Sequence, residues 1–429
     1  MFDLAVIGMG SAGIEAANSA IKNGLSVIAF EENELGGTCL NRGCIPTKAI
    51  LHSANLYSEI KNSQSIGINA DNVEFDWKKI LSRKSEITAK FQNAIKLSLA
   101  KKITIINSKA ELNIENNTIS IKADNNTYHA KNLVIATGSI PFELPDLKFD
   151  KDKILNSDDM FNLDSLPKNV VIVGSGAIGL EWAEILSSFG SNVTIVEKAK
   201  SLAPNMDIDI QKRLERILKS KKISFHKDDF ISKIQGDKII LNSKKELEFD
   251  KILVAVGRKK IFPISNVEIK VNDDFSTNFK NVFVIGDCSN DIMLAHNASW
   301  QARKVVDKIL FNKPINKQCV PSAIYITPEI ASVGIKEQDI ENKDEYKIVK
   351  FLVPSVAKPW CDNAADGFIK VIFKNDIIVA SHIVSKNAVE LVSIFNILIK
   401  KQMKKEEISN IIFPHPSYSE MILELIKNA

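Results

Sequence analysis

The sequence predicts an α/β protein with two three-layer, Rossmann-like units and a separate α+β domain at its C-terminal end. A short apolar strand, three closely spaced glycines and a helical pattern follow one another near residue 4 and again near residue 170. After Pro314 the periodicity changes to alternating strands, at Ile369–Phe373 and Ile377–His382, followed by an amphipathic helix over about Ala388–Lys401 and a last helix that begins near Ser417. Strands that alternate with helices favour parallel sheets, whereas a run of strands followed by helices favours an α+β domain.

The first unit carries a complete dinucleotide-binding fingerprint. Its glycines follow the strand Leu4–Ile7 and are Gly8, Gly10 and Gly13. A second strand, Leu25–Phe30, ends on Glu31, 18 residues after the third glycine. In this motif the first glycine permits a tight turn, the second lets the backbone approach a pyrophosphate, and the third allows the helix to pack closely on the strand. Glu31 is then expected to accept a hydrogen bond from a ribose hydroxyl.

The same pattern recurs in the second unit. Its glycines are Gly174, Gly176 and Gly179, and the strand Asn192–Val196 leads to Glu197, again 18 residues after the third glycine. Two fingerprints in one chain predict two dinucleotides, for which a flavin and a nicotinamide are the expected pair. An acid at the ribose position repels a 2′-phosphate and favours NAD over NADP, although Lys198 and Lys200 beside it would favour the phosphate.

Two cysteines, Cys39 and Cys44, lie just after the first fingerprint in G-G-T-C-L-N-R-G-C-I-P-T-K. Their spacing suits one helical turn, where side chains four or five positions apart can meet. A disulfide across one turn closes too small a loop to stabilise a fold much, so the pair is interpreted as a redox dithiol. The alternative is two unpaired core residues. Cys288, Cys319 and Cys361 have no cysteine or histidine at ligand spacing, and no metal site is expected.

Composition excludes several function classes. The chain has 429 residues, 25% of them charged, with a net charge of +4 and both signs interleaved, so that no basic stripe predicts nucleic-acid binding. No apolar run approaches the roughly 18 residues that a membrane helix needs. Strand-like sequence begins at Phe2, which leaves no room for a targeting segment. We therefore expect a cytoplasmic protein, in which a close cysteine pair is more often reactive than structural.

Prolines and glycine-ended strands mark the expected domain boundaries. Pro141, Pro145 and Pro167 lie in a hydrophilic crossing after the apolar segment Leu133–Ser139. A third glycine-ended strand, Val282–Cys288, is interpreted as a return of the chain to the first domain. The expected segments are the first nucleotide-binding domain at 1–142, the second at 143–260, a central segment returning to the first at 261–315, and the C-terminal domain at 316–429.

Motifs along nearly the whole chain resemble, in order, those of the flavin-linked disulfide reductases, and among these the dihydrolipoamide dehydrogenases most closely. They are the first fingerprint, C-L-N-R-G-C-I-P-T-K, A-T-G, the second fingerprint with L-E, V-G-R, G-D, L-A-H-N-A, P-S-A-I-Y-I-T-P-E and H-P-S-Y-S-E. The resemblance implies FAD in the first domain, NAD in the second, and a C-terminal dimerisation domain. Three features depart from it: a short segment between Val256 and Gly286, Phe413 where relatives have a histidine, and Arg42 in the cysteine loop.

The resemblance also implies the catalytic roles. Cys39 would be the thiol that exchanges with the substrate, and Cys44 the thiol beside the flavin. His415, oriented by Glu420, would be the base, and the family places this pair opposite the cysteines of the partner chain. An obligate homodimer follows from that arrangement.

Further residues are expected at the cofactor sites. For FAD the resemblance adds Ser11, Ala12, Gly37, Thr38, Lys48, Thr137, Gly138, Gly286, Asp287 and Ala295; for NAD it adds Ile178, Glu181 and Gly257. Lys48 would pair with Glu181 near the reactive nitrogen of the flavin, and Asp287 would bind the ribityl chain. The helix beginning at Ala295 would stabilise negative charge on reduced flavin through its dipole.

The expected activity is oxidation of protein-bound dihydrolipoyl groups by NAD. The partners would be the lipoyl domains of 2-oxo acid dehydrogenase complexes or the glycine cleavage carrier protein. Two alternatives stay open. One is another NAD(P)H-dependent disulfide or metal reductase built on the same dithiol and flavin. The other is a catalytically silent FAD-binding subunit.

Overall fold

The computed structural model describes residues 1–115, 118–289, 292–316 and 318–429. They form two compact units. The first comprises residues 1–49, 79–142 and 257–317, and the second residues 50–78, 143–256 and 318–429.

Both units contain strands as well as helices. In chain order the strands are β1 (Phe2–Ile7), β2 (Val27–Phe30), β3 (Thr104–Ile106), β4 (Glu111–Glu115), β5 (Thr118–Ala123), β6 (Asn126–Ile135), β7 (Ser139–Pro141), β8 (Ile154–Leu155), β9 (Asn169–Val173), β10 (Asn192–Glu197), β11 (Ser224–Lys227), β12 (Ile231–Gln235), β13 (Lys238–Leu241), β14 (Glu246–Glu248), β15 (Lys251–Val254), β16 (Arg258–Lys260), β17 (Ile264–Ser265), β18 (Val282–Val284), β19 (Ser322–Ile324), β20 (Glu329–Gly334), β21 (Tyr346–Leu352), β22 (Phe368–Lys374) and β23 (Ile377–Ser385). The helices are α1 (Ser11–Lys22), α2 (Gly37–Arg42), α3 (Cys44–Lys61), α4 (Trp77–Leu99), α5 (Ala177–Ser188), α6 (Ile208–Ser220), α7 (Ala295–Phe311), α8 (Ala357–Cys361), α9 (Ala388–Lys401), α10 (Lys405–Ser409) and α11 (Glu420–Lys427).

The first unit is built on an eight-stranded sheet in the order β17-β4-β5-β6-β1-β2-β3, with β18 also paired to β6. Strands β3, β2, β1, β6 and β18 run parallel, and β4, β5 and β6 form an antiparallel meander. The carboxyl ends of β1 and β6 therefore lie at the same edge of the sheet, where such folds bind their ligands.

The parallel strands of this unit are buried on both faces. Leu4 and Val6 of β1 pack in one core with Ala16 of α1, and the alternate residues Ala5 and Ile7 belong to a second core. Since successive side chains of a strand point to opposite faces, burial of both faces explains the uninterrupted apolar run of β1.

The second unit contains a parallel sheet and two antiparallel ones. The parallel sheet has the order β11-β10-β9-β15-β8, and β12-β13-β14 form a small antiparallel sheet. The C-terminal sheet has the order β19-β20-β23-β22-β21. Phe395 of α9 and Leu425 of α11 share a core with Ile369 and Val371 of β22, so helices cover one face of this sheet. The predicted fold class is confirmed.

Individual elements agree with the sequence in different degrees. Helix α9 has the predicted bounds Ala388–Lys401. The predicted strand Val282–Cys288 is too long: β18 ends at Val284, and Gly286, with φ +75°, turns the chain into a short 3-10 helix. The last helix begins at Glu420 instead of near Ser417, and the Glu420 side chain accepts the Ser417 N–H at 2.7 Å in the turn that precedes it.

Ring packing and strand pairing explain two of the boundaries between the units. Residues 50–78 belong to the second unit, where the rings of Tyr57 and Phe75 lie 5.7 and 4.7 Å from the ring of Phe189. Strand β16 pairs with β7, which places Arg258 and Lys260 in the first unit. No helix in the described part of the chain has the length and hydropathy needed to span a bilayer.

Candidate functional site

The glycine turn after β1 has the geometry that the fingerprint predicts. Gly8 has φ +93°, and a Cβ atom there would lie 2.5 Å from the Ala136 carbonyl oxygen at the end of β6. A Cβ atom on Gly13 would overlap the Gly8 carbonyl oxygen. Gly10 is the N-cap of α1 and has no side chain to cap it, so the first N–H groups of the helix point to an outside acceptor. These features fit the pyrophosphate of a dinucleotide.

Glu31 is held against this turn. Its Oε2 accepts the Met9 N–H at 2.7 Å and its Oε1 accepts the Asn33 N–H at 2.9 Å, and the residue is buried. Since each carboxylate oxygen can accept two hydrogen bonds, both oxygens retain a lone pair for ribose hydroxyls.

The second unit repeats this arrangement with one addition. A Cβ atom on Gly174 would lie 2.6 Å from the Ala255 carbonyl oxygen at the end of β15. The Oε2 atom of Glu197 accepts both the N–H and the hydroxyl of Ser175, at 2.9 and 2.6 Å, and its Oε1 accepts the Ala199 N–H at 2.8 Å. Glu197 is thus held against the second glycine turn at the carboxyl edge of the parallel sheet, where the fingerprint predicts a ribose-binding acid. Ile178 lies in the first turn of α5.

The two cysteines lie on two consecutive helices, and the prediction of a single helical turn is wrong. Helix α2 ends at Arg42, Gly43 leaves the helical conformation, and Cys44 begins α3. A Cβ atom on Gly43 would lie 2.9 Å from the Thr38 carbonyl oxygen and 3.3 Å from the Cys39 Cα atom. Only glycine allows this close passage, which brings the two thiols together.

The side chains of Cys39 and Cys44 interact directly through a hydrogen bond. The hydrogen bond with the Cys44 side chain, together with burial, raises the pKa of Cys39 well above its usual range, and a hydrogen bond with the Ser11 side chain opposes this effect. Cys44 is exposed. The contact between Ser11 and Cys39 was not predicted, because nothing in the sequence marks a contact between the fingerprint helix and the dithiol.

Helix α2, which carries Cys39, is attached to the first glycine turn. The Gly36 N–H donates to the Met9 carbonyl at 2.8 Å, and a Cβ atom on Gly37 would lie 2.7 Å from the Gly10 Cα atom. Lys48 lies one turn beyond Cys44 on α3. The structure therefore places the dithiol beside the turn that fits the first dinucleotide.

Other predicted FAD residues lie at the same carboxyl edge. Thr137 donates its hydroxyl to the Ile261 carbonyl at 2.5 Å, and Gly138 has φ +75°. Asp287 accepts the Ser139 hydroxyl at 2.6 Å. The Gly286 N–H donates to the buried Gln301 side chain at 2.7 Å, and Gly286 approaches Ala12 so closely that a Cβ atom would lie 3.2 Å from the Ala12 Cβ. Thr38 and Ala295 are the second residue of α2 and the first residue of α7.

His415 and Glu420 form the predicted pair in the second unit. Nδ1 of His415 lies 2.8 Å from Oε1 of Glu420, and the histidine is exposed. The Ser417 N–H first, and His415 second, hold the pKa of Glu420 below its usual value. Glu420 is therefore a carboxylate at neutral pH and orients the imidazole so that Nε2 points away from it.

The remaining predicted residues lie on separate units. Glu181 is buried in α5 of the second unit and accepts the Tyr325 N–H at 3.2 Å, whereas Lys48 belongs to the first unit, so their pairing stays a prediction. Gly257, predicted at the NAD site, lies in the first unit and accepts the Phe142 N–H at 3.0 Å. Arg42 lies 3.7 Å from Glu34 in an ion pair, and Phe413 packs against the C-terminal core.

Two glycine turns that fit dinucleotides, the first of them beside a dithiol, are the features of an oxidoreductase. Residues 2–302 match the sequence profile of the pyridine nucleotide-disulphide oxidoreductases, and residues 320–426 match the dimerisation domain of the same proteins. The chain belongs to the pyridine nucleotide-disulphide oxidoreductase family.

Curated relatives match over the full length. The chain is 31% identical to a dihydrolipoyl dehydrogenase of Mycoplasma genitalium, with 100% of this chain and 98% of that protein covered. It is 32% identical to the mitochondrial dihydrolipoyl dehydrogenase of Pisum sativum, with 98% and 90% covered. LpdA of Mycobacterium tuberculosis shares the fold, with a TM-score of 0.92 at 22% identity and 99% of both chains covered.

A further solved structure carries another name. The HOCl-induced flavoprotein disulfide reductase RclA of Escherichia coli matches with a TM-score of 0.86 at 25% identity over 99% of both chains. The comparisons confirm the predicted family resemblance and the oxidoreductase class, and the cofactors are FAD and NAD. The match to the dimerisation domain supports the predicted homodimer.

Proposed function

We propose that this protein oxidises protein-bound dihydrolipoyl groups with NAD, through reversible formation of a Cys39–Cys44 disulfide. The observation that carries this proposal is the direct contact of the two thiols on a helix break that is attached to the first glycine turn. The family and the names of its full-length relatives support the substrate class.

The thiol exchange transfers two electrons from the substrate dithiol to the cysteine pair in two steps. A substrate thiolate attacks the Cys39 sulfur, the Cys39–Cys44 bond breaks, and Cys44 leaves as a thiolate. The second substrate thiolate attacks the substrate sulfur bound to Cys39, which forms the lipoyl disulfide and releases Cys39. The two electrons of the substrate now reside on the reduced cysteine pair. Bound FAD supplies the route by which these electrons reach NAD.

This exchange needs a base, since a dithiol is mostly protonated at neutral pH and only the thiolate attacks. His415 is the proposed base, and Glu420 holds its Nδ1 at 2.8 Å so that Nε2 takes the proton. In the homodimer we propose that His415 of one protomer serves the cysteines of its partner. The expected partners are lipoyl domains of 2-oxo acid dehydrogenase complexes or the glycine cleavage carrier protein, in the cytoplasm.

The test compares substrates on one purified, FAD-loaded protein. We expect NADH oxidation to be fastest with lipoamide, and slow with glutathione disulfide and with Hg(II) or Cu(II). Cys44→Ser should abolish turnover, whereas Cys361→Ser, a matched change at another exposed cysteine, should not alter it. Preference for glutathione disulfide or a metal ion would favour the reductase alternative instead.

A second measurement addresses the silent-subunit alternative. We expect one equivalent of dihydrolipoamide to produce a long-wavelength absorption band, because a Cys44 thiolate beside oxidised flavin absorbs by charge transfer. Cys44→Ser should remove this band. An FAD-loaded wild-type protein without the band would contradict a catalytic role for the pair.

A further inference from the structure

Arg258 donates two hydrogen bonds to a single residue, Ser139. Its Nε donates to the Ser139 hydroxyl at 2.8 Å, and its Nη2 donates to the Ser139 carbonyl at 2.7 Å. The antiparallel pairing of β16 with β7 brings these residues to adjacent strands, with Lys260 opposite Ser139 and Arg258 opposite Pro141. A planar guanidinium with fixed donor directions suits such paired contacts.

The Ser139 hydroxyl links Arg258 to Asp287 through two hydrogen bonds. It donates to Oδ2 of Asp287 at 2.6 Å while it accepts from Arg258. A hydroxyl can do both, because it has one hydrogen and two lone pairs. Ser139 is 6% exposed, so the chain from guanidinium to carboxylate runs through a poorly solvated position where hydrogen bonds are stronger.

Arg258 also lies near the start of α2, the helix that carries Cys39. Its Nη2 is 3.4 Å from Oγ1 of Thr38, the residue before Cys39. Thr38, Gly138 and Asp287 come from three separate segments, each predicted to contact FAD. Arg258 and Ser139 thus connect these segments, although the sequence marked neither of them as part of the site.

We propose that Ser139 and Arg258 are positioning residues of the flavin site. Ser139 fixes the side-chain rotamer of Asp287, and Arg258 offsets the negative charge of this carboxylate beside a dinucleotide whose diphosphate is itself anionic. Neither residue takes part in the thiol exchange. This inference rests on the FAD site of the proposed function, and not on the identity of the dithiol substrate.

The test measures the affinity of the apoprotein for FAD. Apoprotein is titrated into FAD, and the quenching of flavin fluorescence on binding gives the dissociation constant. We expect Ser139→Ala to raise the dissociation constant for FAD about tenfold, equivalent to about 1.4 kcal/mol. Ser139→Thr, which keeps the hydroxyl, should restore affinity. Arg258→Gln should weaken FAD binding to a similar degree. Ser120→Ala is the matched control, because the Ser120 hydroxyl donates to the Asn113 carbonyl within the same unit at 3.2 Å.

A purely structural role predicts a different pattern. Thermal unfolding of the apoproteins measures separately what the lost hydrogen bonds cost in stability, and FAD affinity is compared at a temperature at which wild type, Ser139→Ala and Ser139→Thr are all folded. Unchanged FAD affinity in Ser139→Ala, or a loss that Ser139→Thr fails to restore, would overturn the inference. A wild-type protein that takes up no FAD would overturn the proposed function as well, and the two failures are therefore distinguishable.

Discussion

Gly37 packs directly against Gly10, and a Cβ atom on Gly37 would lie 2.7 Å from the Gly10 Cα atom. Since Gly37 begins the helix that carries Cys39, and Gly10 caps the helix of the first fingerprint, this contact sets the distance between dithiol and dinucleotide site. Two glycines 27 positions apart in the sequence thus act as one structural feature.

We expect Gly37→Ala to lose both stability and bound FAD. Gly37 has φ +57°, where a side chain costs about 1–2 kcal/mol, and the overlap with Gly10 adds to this cost. Gly24→Ala is the matched control, because Gly24 has φ +80° but open space where its Cβ would lie. Urea unfolding and the flavin-to-protein absorbance ratio measure the two losses. Equal losses in both variants would show that the Gly10 contact contributes nothing.

We expect Cys44→Ala to make Cys39 more reactive toward iodoacetamide at neutral pH in reduced apoprotein. The hydrogen bond with Cys44 is the largest cause of the raised Cys39 pKa, so its loss lowers that pKa and increases the thiolate fraction. Mass spectrometry of Cys39 alkylation against pH should show the profile displaced to lower pH. A profile that does not move, with Cys361 alkylation as the internal reference, would contradict the coupling.

The fingerprints could be predicted because their physical demands are local. The motif needs three glycines within about a dozen residues: one with positive φ after the strand, one at the helix N-cap, and one in the first turn of the helix where it packs on the strand. Gly8 and Gly13 accordingly occupy the predicted geometry. The acid 18 residues further on follows from the length of the intervening helix, and Glu31 and Glu197 both bind the middle residue of their glycine turns.

The contacts that the sequence did not predict join distant segments. Ser139 and Arg258 are 119 positions apart, and Ser139 and Asp287 are 148 apart, so no periodicity or spacing relates them. By contrast, the helix break between the cysteines depends on residues that are adjacent in the sequence, so the sequence could have predicted it. Gly43 directly before Cys44 is a helix-breaking signal, and it would have argued against a single helical turn.

We expect His415→Gln to lower dithiol oxidation by roughly 10²- to 10⁴-fold, the usual contribution of a general base. Glu420→Gln should have a smaller effect, because it disturbs the orientation of the imidazole without removing it. His129→Gln, at an exposed histidine of the first unit, is the control. Stopped-flow reduction of the protein by dihydrolipoamide isolates this step, and normal reduction in His415→Gln would exclude His415 as the base.

Lys370 is a buried lysine in the second unit, and its ion pairs with Asp207 and Glu337 are expected to stabilise the fold. Its Nζ lies 2.8 Å from Oδ1 of Asp207 and also contacts Glu337, and both Lys370 and Asp207 are 0% exposed. We expect Lys370→Met to destabilise the protein by about 3–5 kcal/mol, because it leaves a buried carboxylate without its partner. Lys350→Met, which removes an exposed lysine 3.4 Å from Asp209, should cost about 0–1 kcal/mol.

The same cluster predicts how stability depends on pH. Burial alone would raise the pKa of Asp207, but His382, Lys370 and backbone N–H groups together hold it below its usual 3.8. A carboxyl group with a depressed pKa in the folded state stabilises above its unfolded pKa, and this contribution is lost as the pH falls through the folded value. The free energy of unfolding of wild type, measured with urea, should therefore fall below about pH 4. The double variant Asp207→Asn/Lys370→Met should lose less of this free energy than wild type over the same pH range. An equal loss in both proteins would place the acid sensitivity outside this cluster.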